Sequence, residues 1–506
     1  MELSILLEGV KVKEIKNGAG LDIKGLAIDS RRVRPGDLFF ALRGGRADGN
    51  AFIADAIQKG ASAILTEIED SGSSLSSGPA SIVVEDGRAA LARASANFNN
   101  NPSRRLAVTG ITGTNGKTTT ALLVQGALTR LGRGAGLIGT IKYIAGGTEK
   151  PASHTTPEAP EFQSMLEEMS RAGQSYAAAE ISSHALAQKR VDCTSFKAAV
   201  FTNLTRDHLD FHKTMENYFD AKKRLFHELL EEGGAAVINS DDPFGLRLVS
   251  GLKGRRIFTY GTVSLHNDYG NESITAKDIL NLPAGLRFEI AFKGKKFPVS
   301  SRLIGAHNVY NLLAAFGALV GLGISPEDAI DGLESLEGVK GRFERVECGQ
   351  DFLVVVDYAH TPDALQRLIQ AARAVSGGRV ITMFGCGGDR DKGKRREMGL
   401  IGAALSDIAV ITSDNPRSED PVSIINDIKE GIPADRAADC MLITDRAQAI
   451  AKAIELARPG DAVLIAGKGH EDYQEINGAR MPFSDCQAAI DALKDQKTRS
   501  QKRQNR

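Results

Sequence analysis

The stretch Val108–Thr120, Val-Thr-Gly-Ile-Thr-Gly-Thr-Asn-Gly-Lys-Thr-Thr-Thr, constrains this chain more than any other. It reads as a buried strand running into a glycine-rich turn. Lys-Thr-Thr then opens a helix in which Leu122, Leu123, Ala127 and Leu128 recur at helical spacing before Gly132 ends it. Such a turn cradles phosphate: glycines let backbone N–H groups approach an anion, and the helix N-terminus adds partial positive charge. Lys117 can reach the outer phosphates and a following threonine hydroxyl can hold Mg²⁺. One position departs from the general motif, since Ile111 stands where a glycine is usual. Alone, the stretch supports only the binding of a nucleotide phosphate.

A chain of 506 residues has room for two to four domains and several cores. With 63 basic and 63 acidic residues, no global field favours nucleic acid or an anionic membrane. The one basic run, Lys497–Arg506, is expected to be a solvated, disordered end. Five cysteines, Cys193, Cys348, Cys386, Cys440 and Cys486, are scattered and never spaced C-x-x-C, which fits free thiols in a reducing cytoplasm. No apolar run approaches the length of a membrane span. A soluble cytoplasmic protein, without nucleic-acid or membrane partners, is the expectation.

Three sections follow one another, with boundaries expected at 1–102, 103–338 and 339–506. In the first, Gly25–Leu42 reads as two short strands around a Pro-Gly turn, with further strands at Ala61–Thr66 and Ser81–Glu85. Asn99-Asn-Asn-Pro-Ser103 breaks the pattern as a linker. In the second, apolar runs at Tyr176–Ile181, Ala198–Thr202 and Ala235–Asn239 alternate with helical stretches at Glu161–Ala172 and Met215–Leu230. The third carries strands at Phe352–Asp357, Val380–Phe384, Ile408–Thr412 and Ala462–Ala466. This alternation predicts an α/β fold with mainly parallel sheets covered by helices. Ligands of such sheets bind beyond the carboxyl ends of strands, where short polar motifs recur in this chain.

Two of these motifs, Glu180-Ile-Ser-Ser-His184 and Thr202-Asn-Leu-Thr-Arg-Asp-His-Leu-Asp-Phe-His212, are dense in ligand and proton-transfer chemistry. A carboxylate such as Glu180 is a hard ligand suited to Mg²⁺, and His208 could be a second ligand. Taken singly, His184, His208 and His212 read as hydrogen-bonded structural residues before they read as ligands, and Asp207 and Asp210 read equally as turn residues. Lys222 and Lys223 are adjacent on a helix and point about 100° apart, so they cannot serve one site together. Spacing does not say which of them would face it.

In order along the chain stand Gly113-Thr-Asn-Gly-Lys-Thr-Thr-Thr120, His154-Thr-Thr-Pro157, Glu180–His184, Asn203–Asp210, Gly305-Ala-His-Asn308, Gly341-Arg-Phe-Glu344 and Asp357-Tyr-Ala-His-Thr-Pro362. Together they resemble the Mur ligases, ATP-dependent amino-acid-adding enzymes of bacterial peptidoglycan synthesis, and the resemblance covers essentially the whole chain. Phe384-Gly-Cys-Gly-Gly-Asp-Arg390, Ser413-Asp-Asn-Pro-Arg417 and Ala466–Gln474 are similar to the branch that adds meso-diaminopimelate to UDP-MurNAc-L-Ala-D-Glu. The physics agrees. Meso-diaminopimelate carries a carboxylate at its far end, which a guanidinium at Arg417 would pair bidentately, whereas lysine ends in an ammonium that Arg417 would repel.

The resemblance implies three domains: a small N-terminal α/β UDP-binding domain, a central phosphate-loop domain with a parallel sheet, and a Rossmann-like C-terminal domain. It implies an acyl phosphate formed from ATP and then attacked by the amino acid's amine. ATP would be held by Gly113, Thr114, Asn115, Gly116, Lys117, Thr118 and Thr119, with His307 and Asn308 near adenine and Arg342 and Asp357 reaching in from the third domain. Thr118 and Glu180 would hold one Mg²⁺ and His208 a second. The family's Tyr-x-x-Ala-Lys pattern falls on Tyr218 and Lys222, which makes Lys222 the lysine carbamylated by CO₂ and a further metal ligand, and Lys223 its surface neighbour. Lys117, Glu180, His208 and Lys222 would be the catalytic set. Ser30, Gly45, Arg46 and Ala47 would hold the UDP end, and Thr155, Thr156, Ser182, Gln188 and Arg190 the muramoyl-peptide. Diaminopimelate would meet Arg390, Asp414, Asn415, Pro416, Arg417, Gly467 and Glu471. His154 and Arg46 depart from the residues expected in some relatives, which leaves the uridine end less defined. A monomer is expected. The readings set beside this one are the lysine-adding version, a folylpolyglutamate synthetase-like ligase, and a phosphate-loop switch that binds nucleotide without ligating anything. Ile-Asp-Ser-Arg31 and Asp414-Asn-Pro-Arg417 argue against the second, and the Glu180, His208 and Lys222 constellation against the third.

Overall fold

The computed structural model describes residues 1–44, 47–68, 78–262, 272–282 and 284–504. By its internal contacts the chain divides into two compact units. One comprises Met1–Thr112, Gly132–Ala199 and Ala221–Ala236, and the other Gly113–Leu131, Val200–Asp220 and Val237–Arg506.

In the first unit, a five-stranded sheet runs in the order Val12–Lys16, Ala80–Val84, Ala63–Thr66, Asp37–Phe40, Gly25–Ala27. Only the first pair is antiparallel. The three central strands are buried throughout, as strands covered on both faces must be. Gly25–Ala27 and Asp37–Phe40 are parallel neighbours rather than two arms of a turn. Asp29 accepts from the Arg31 N–H to cap a 3₁₀ turn at Ser30–Arg32, and the following segment carries the chain back across before the second strand begins.

A second sheet in this unit places Tyr176–Glu180 between Ala107–Thr112 and Ala135–Ile138, parallel to both. Its small residues let neighbours settle close on the sheet. A Cβ at Gly136 would stand 2.3 Å from Met169 Sδ, and one at Gly110 would stand 2.8 Å from the Phe196 ring. Lys142–Ala145 and Thr148–Pro151 extend the edge antiparallel.

The second unit holds a sheet of Leu353–Asp357, Ala462–Ala466, Val380–Phe384, Ile408–Ile411 and Cys440–Leu442, parallel in that order, with Glu344–Arg345 antiparallel at one edge. It also holds the strands Arg256–Gly261, Glu272–Leu282, Gly285–Phe292 and Lys295–Ser301, packed by the helix Ala306–Gly321. The helix that follows the phosphate loop spans Lys117–Arg130, and Gly132 beyond it takes a left-handed φ of +69°.

Two segments depart from expectation. The helix predicted over Met215–Leu230 ends at Arg224, passes through a π-turn at Leu225–Leu229, and gives way to a strand from Leu230. Leu225 and Phe226 are buried where the α-helix widens into the π-turn ahead of the strand. The basic end, expected to be disordered, continues the helix Asp485–Gln504, consistent with the good helix propensity of Lys, Arg and Gln.

Asp485 and Arg446, each with 0% side-chain exposure, form a buried ion pair. The guanidinium also donates to the Ser413 and Ala466 carbonyls, which tethers the ends of two strands. Removing one partner leaves an uncompensated buried charge. Asp485→Asn should therefore cost about 3–5 kcal/mol in urea denaturation, and an unchanged unfolding midpoint would contradict this role.

Candidate active site

The phosphate loop is locked onto the segment Thr202–Thr205 by reciprocal hydrogen bonds. Thr114 N donates to Asn203 O at 2.8 Å and Asn115 N to Asn203 Oδ1 at 3.0 Å. Thr202 Oγ1 donates to Asn115 O at 2.6 Å, and Thr205 N to Thr114 Oγ1 at 3.0 Å. The Thr114 hydroxyl also meets the buried Tyr218 hydroxyl at 3.2 Å. Gly113 is required there: at φ +146°, an added Cβ would fall 1.9 Å from Thr202 Oγ1. Lys117 Nζ donates to the Gly113 and Thr114 carbonyls at 2.9 and 2.8 Å, lying over the loop it is expected to serve.

Beside the loop is a cavity of about 350 Å³ lined by Asn115, Gly116, Thr118, Thr119, His307, Arg342 and Asp357. Sequence reasoning thus brings seven of the expected nucleotide residues to one place. Arg342 Nη2 donates to Thr118 Oγ1 at 3.2 Å. The Asp357 carboxyl is pushed up by burial and drawn back by Arg342 and by N–H donors from Phe343 and Ala359. Burial lowers the His307 pKa to about 4, so its ring is neutral at physiological pH.

Asn308 does not line this cavity. Its amide is engaged with Ile304 O and Asn311, and Asn311, one helical turn on, takes the lining position. Asn311, Asp241, Tyr310 and Arg367 also line the cavity and were missed in the sequence. Only the i, i+3 spacing of Asn308 and Asn311 could have indicated one of them.

His208 takes a left-handed φ of +54°, and its Nε2 lies 3.4 Å from Asp207 Oδ2. Burial pushes the Asp207 carboxyl up, but His208, Lys394 and His360 outweigh this and hold it below the usual carboxylate range. His212 is buried and packs on Tyr218 at 5.0 Å, which is the structural reading.

In the C-terminal sheet the residues expected to meet diaminopimelate gather beyond the strand ends. Asn415 donates to Glu471 Oε2 at 2.9 Å, Lys468 Nζ bridges Asn415 Oδ1 and Glu471 Oε2 at 3.0 and 2.8 Å, and Gln474 donates to Asp414 O. Burial raises the Asp414 carboxyl, but Arg446 and Lys468 more than offset it and hold it below the usual range. At Gly467 an added Cβ would meet Asp414 Oδ2 at 2.5 Å. Arg417, at φ +53°, donates from Nη1 to Gly388 O at 2.7 Å, and its Nε pairs with Glu475 at 3.3 Å. Nη2 makes no hydrogen bond or ion pair among the described residues. The exposed Arg390 lies on the neighbouring loop after Val380–Phe384, and both arginines approach Gly387. Pro416 O lies against Gly388, closing the turn.

In the other unit, Ser30, Ala47, Gln188 and Arg190 line a cavity of about 1010 Å³ with His154 and Arg88. Gly45 and Arg46 lie outside the described residues. Thr156 Oγ1 donates to Glu180 O at 2.7 Å and accepts from Ser182 N, so Thr156 and Ser182 brace the Glu180 strand end. Thr155 Oγ1 accepts from Thr140 Oγ1. Glu180, 1% exposed, accepts the Thr140 N–H and hydroxyl at 2.7 and 3.0 Å. Lys222 is 1% exposed and Lys223 half-buried.

Among the described residues no group of three or more His, Cys, Asp or Glu side chains converges. Mg²⁺ takes few protein ligands and fills its shell with water and phosphate oxygens. The Thr118 hydroxyl, at the nucleotide cavity, is an oxygen donor of the hard kind that ion takes.

Family models match along the chain: "Mur ligase family, catalytic domain" at residues 22–99, "Mur ligase middle domain" at 111–319, and "Mur ligase, glutamate ligase domain" at 341–469. The chain belongs to the Mur ligase family. A relative from Solibacter usitatus, UDP-N-acetylmuramoyl-L-alanyl-D-glutamate--2,6-diaminopimelate ligase, is 46% identical over 98% of both chains. A relative of the same name from Aquifex aeolicus is 44% identical over 93% of this chain and 94% of its own. A solved structure of a ligase with that name is 34% identical over 94% of this chain and 95% of its own, with a TM-score of 0.65. Folylpolyglutamate synthase from Mycobacterium tuberculosis, 15% identical over 80% of this chain and 94% of its own, shares the fold at a TM-score of 0.61. Three Mur ligase domains, with parallel sheets in the central and C-terminal ones, are thus the architecture of this chain.

Since a side chain at Gly113 has no space, Gly113→Ala should weaken ATP binding at least tenfold in calorimetry, about 1.4 kcal/mol. Wild-type affinity in this variant would contradict the locked-loop geometry.

Proposed function

We propose that this Mur ligase adds meso-diaminopimelate to the γ-carboxylate of D-glutamate in UDP-MurNAc-L-Ala-D-Glu, with ATP, in cytoplasmic peptidoglycan-precursor synthesis. The observation that carries the reading is Arg417, its Nη2 without a hydrogen bond among the described residues, in the same strand-end segment as Asp414 and as Asn415, which bonds Glu471. Relatives 40–46% identical over nearly the whole chain, whose names specify that reaction, support it.

The reaction divides between two sets of residues. The γ-carboxylate attacks the γ-phosphorus of ATP, giving an acyl phosphate and ADP, and the work is positioning and charge neutralisation. Backbone N–H groups of Gly113–Thr118, Lys117 and Arg342 meet the phosphates. Thr118, Glu180, His208 and a carbamylated Lys222 would hold Mg²⁺, which supplies positive charge to the phosphate oxygens. His307, Asn311 and Asp357 take the nucleoside, with Asn308 holding Asn311 in place.

The amine of diaminopimelate then attacks the acyl carbon and phosphate leaves. Arg417 takes the far carboxylate, with Arg390 on the neighbouring loop, and Asp414, Asn415, Gly467 and Glu471 take the polar heads. Ser30, Gly45, Arg46, Ala47, Gln188 and Arg190 hold the sugar nucleotide, with Thr155, Thr156 and Ser182 at its peptide. The three domains are functional units at 1–102, 103–338 and 339–506, and the chain acts as a monomer.

Phosphate release in the presence of UDP-MurNAc-L-Ala-D-Glu should depend on meso-diaminopimelate and be weak with L-lysine. Arg417→Ala should raise the KM for diaminopimelate by about 30-fold or more, the lower end of a buried charged pair. Equal turnover with lysine, or an unchanged KM in the variant, would refute the assignment. Lys222 is deeply buried, and a carbamate would convert its cation to an anionic oxygen ligand. Mass spectrometry of native protein in bicarbonate should find one added CO₂ at Lys222, and an unmodified lysine there would exclude the carbamate.

A further inference from the structure

The segment Asp357–Asp363 spans the two halves of the site. Asp357 lines the nucleotide cavity, and Asp363 Oδ2 accepts from Asn115 Nδ2 of the phosphate loop at 2.8 Å. In the other direction, the Tyr358 hydroxyl donates to Glu471 Oε1 at 3.3 Å. His360 lies midway along this segment, half-buried, with its ring 4.7 Å from that of Tyr358.

The tautomer of His360 follows from a single contact. Its Nδ1 is 2.8 Å from the Tyr358 carbonyl oxygen, which can only accept, so Nδ1 carries the proton and Nε2 bears the lone pair. No hydrogen bond or ion pair engages Nε2 among the described residues. Lys394 Nζ donates to the His360 carbonyl at 2.9 Å and fixes the backbone from the other side. The result is an oriented imidazole between the phosphate loop and the amino-acid cluster, with an open basic nitrogen.

We propose that His360 is the general base of the amide-forming step; this rests on the ligase reading above. The incoming nitrogen must shed protons as it becomes an amide, and none of the residues assigned above does this. The nitrogen lone pair forms the N–C bond to the acyl carbon while the carbonyl pair moves onto oxygen. His360 Nε2 takes a proton from that nitrogen. Collapse of the tetrahedral adduct restores the C=O bond and breaks the C–O bond to phosphate, and the imidazolium then returns its proton to solvent.

The charged groups around the ring suit this role. Burial and then Lys394 depress the imidazole pKa, with Arg342 adding to this, while Asp207 and the Tyr358 carbonyl draw it back. Asp414 lies within electrostatic reach on the amino-acid side. The base form is therefore present at neutral pH and is lost only as pH falls through the depressed value.

The test separates the two chemical steps. His360→Asn keeps an amide N–H where Nδ1 meets the Tyr358 carbonyl, but it has no base. Acyl phosphate is trapped with hydroxylamine, a nucleophile already neutral at pH 7, and amide formation is measured with meso-diaminopimelate in parallel. Amide formation should fall about 100-fold or more while hydroxamate formation is unchanged, and the acid limb of the wild-type pH profile should disappear. Undiminished amide formation would overturn the proposal. So would an equal fall in both products, in His360→Asn and in His360→Gln alike. If wild-type protein makes no hydroxamate with UDP-MurNAc-L-Ala-D-Glu, the ligase reading itself fails, and the base with it.

Discussion

The site depends on the lock between the phosphate loop and Thr202–Thr205. Backbone groups of Thr114 and Asn115 are bonded to Asn203 and Thr202, so protein hydrogen bonds hold the loop in its anion-facing shape. Preorganisation of this kind lowers the ordering cost of nucleotide binding and places donors where charge develops. Tyr218 extends the lock through Thr114, and Asn311 extends it through Gly116, where an added Cβ would stand 2.4 Å from the amide oxygen. Arg342 then ties Thr118 to the segment that leads to the amino-acid cluster.

The chemistry was readable in the sequence because it sits where parallel strands end. Val380–Phe384 and Ala462–Ala466 occur with the bounds expected from their largely apolar runs, and the motifs after them supply Arg390 and Glu471. Asp241 and Arg367 were not legible, because they reach the nucleotide cavity through tertiary approach and no local pattern marks them, whereas Asn311 is marked only by its i, i+3 spacing from Asn308. The end of the helix at Arg224 was hidden for the opposite reason: Leu225, Phe226 and Leu229 continue its apolar spacing into a π-turn and a strand. Parallel pairing of Gly25–Ala27 with Asp37–Phe40 was masked by a Pro-Gly pair that suggested a simple reversal.

Charge in the C-terminal sheet is arranged in layers. Arg446 and Asp485 form a buried pair beneath the strand ends, Arg446 and Lys468 keep Asp414 ionised above it, and the half-buried Arg417 follows in the same segment. The inner pair fixes geometry, and in the proposed reading Arg417 selects the ligand. A carboxylate-bearing side chain would gain a charged partner there, whereas an ammonium would meet like charge. The phosphate loop is common to many nucleotide-binding proteins, and this layered cluster is what narrows it to one amide-forming reaction.

If the nucleotide cavity and the amino-acid cluster serve one acyl phosphate, an oxygen of the D-glutamate γ-carboxylate must leave with phosphate. UDP-MurNAc-L-Ala-D-Glu labelled with ¹⁸O in the D-glutamate γ-carboxylate should, during turnover with ATP and meso-diaminopimelate, pass one labelled oxygen into the released inorganic phosphate. Phosphate released without label, while amide accumulates, would contradict the account.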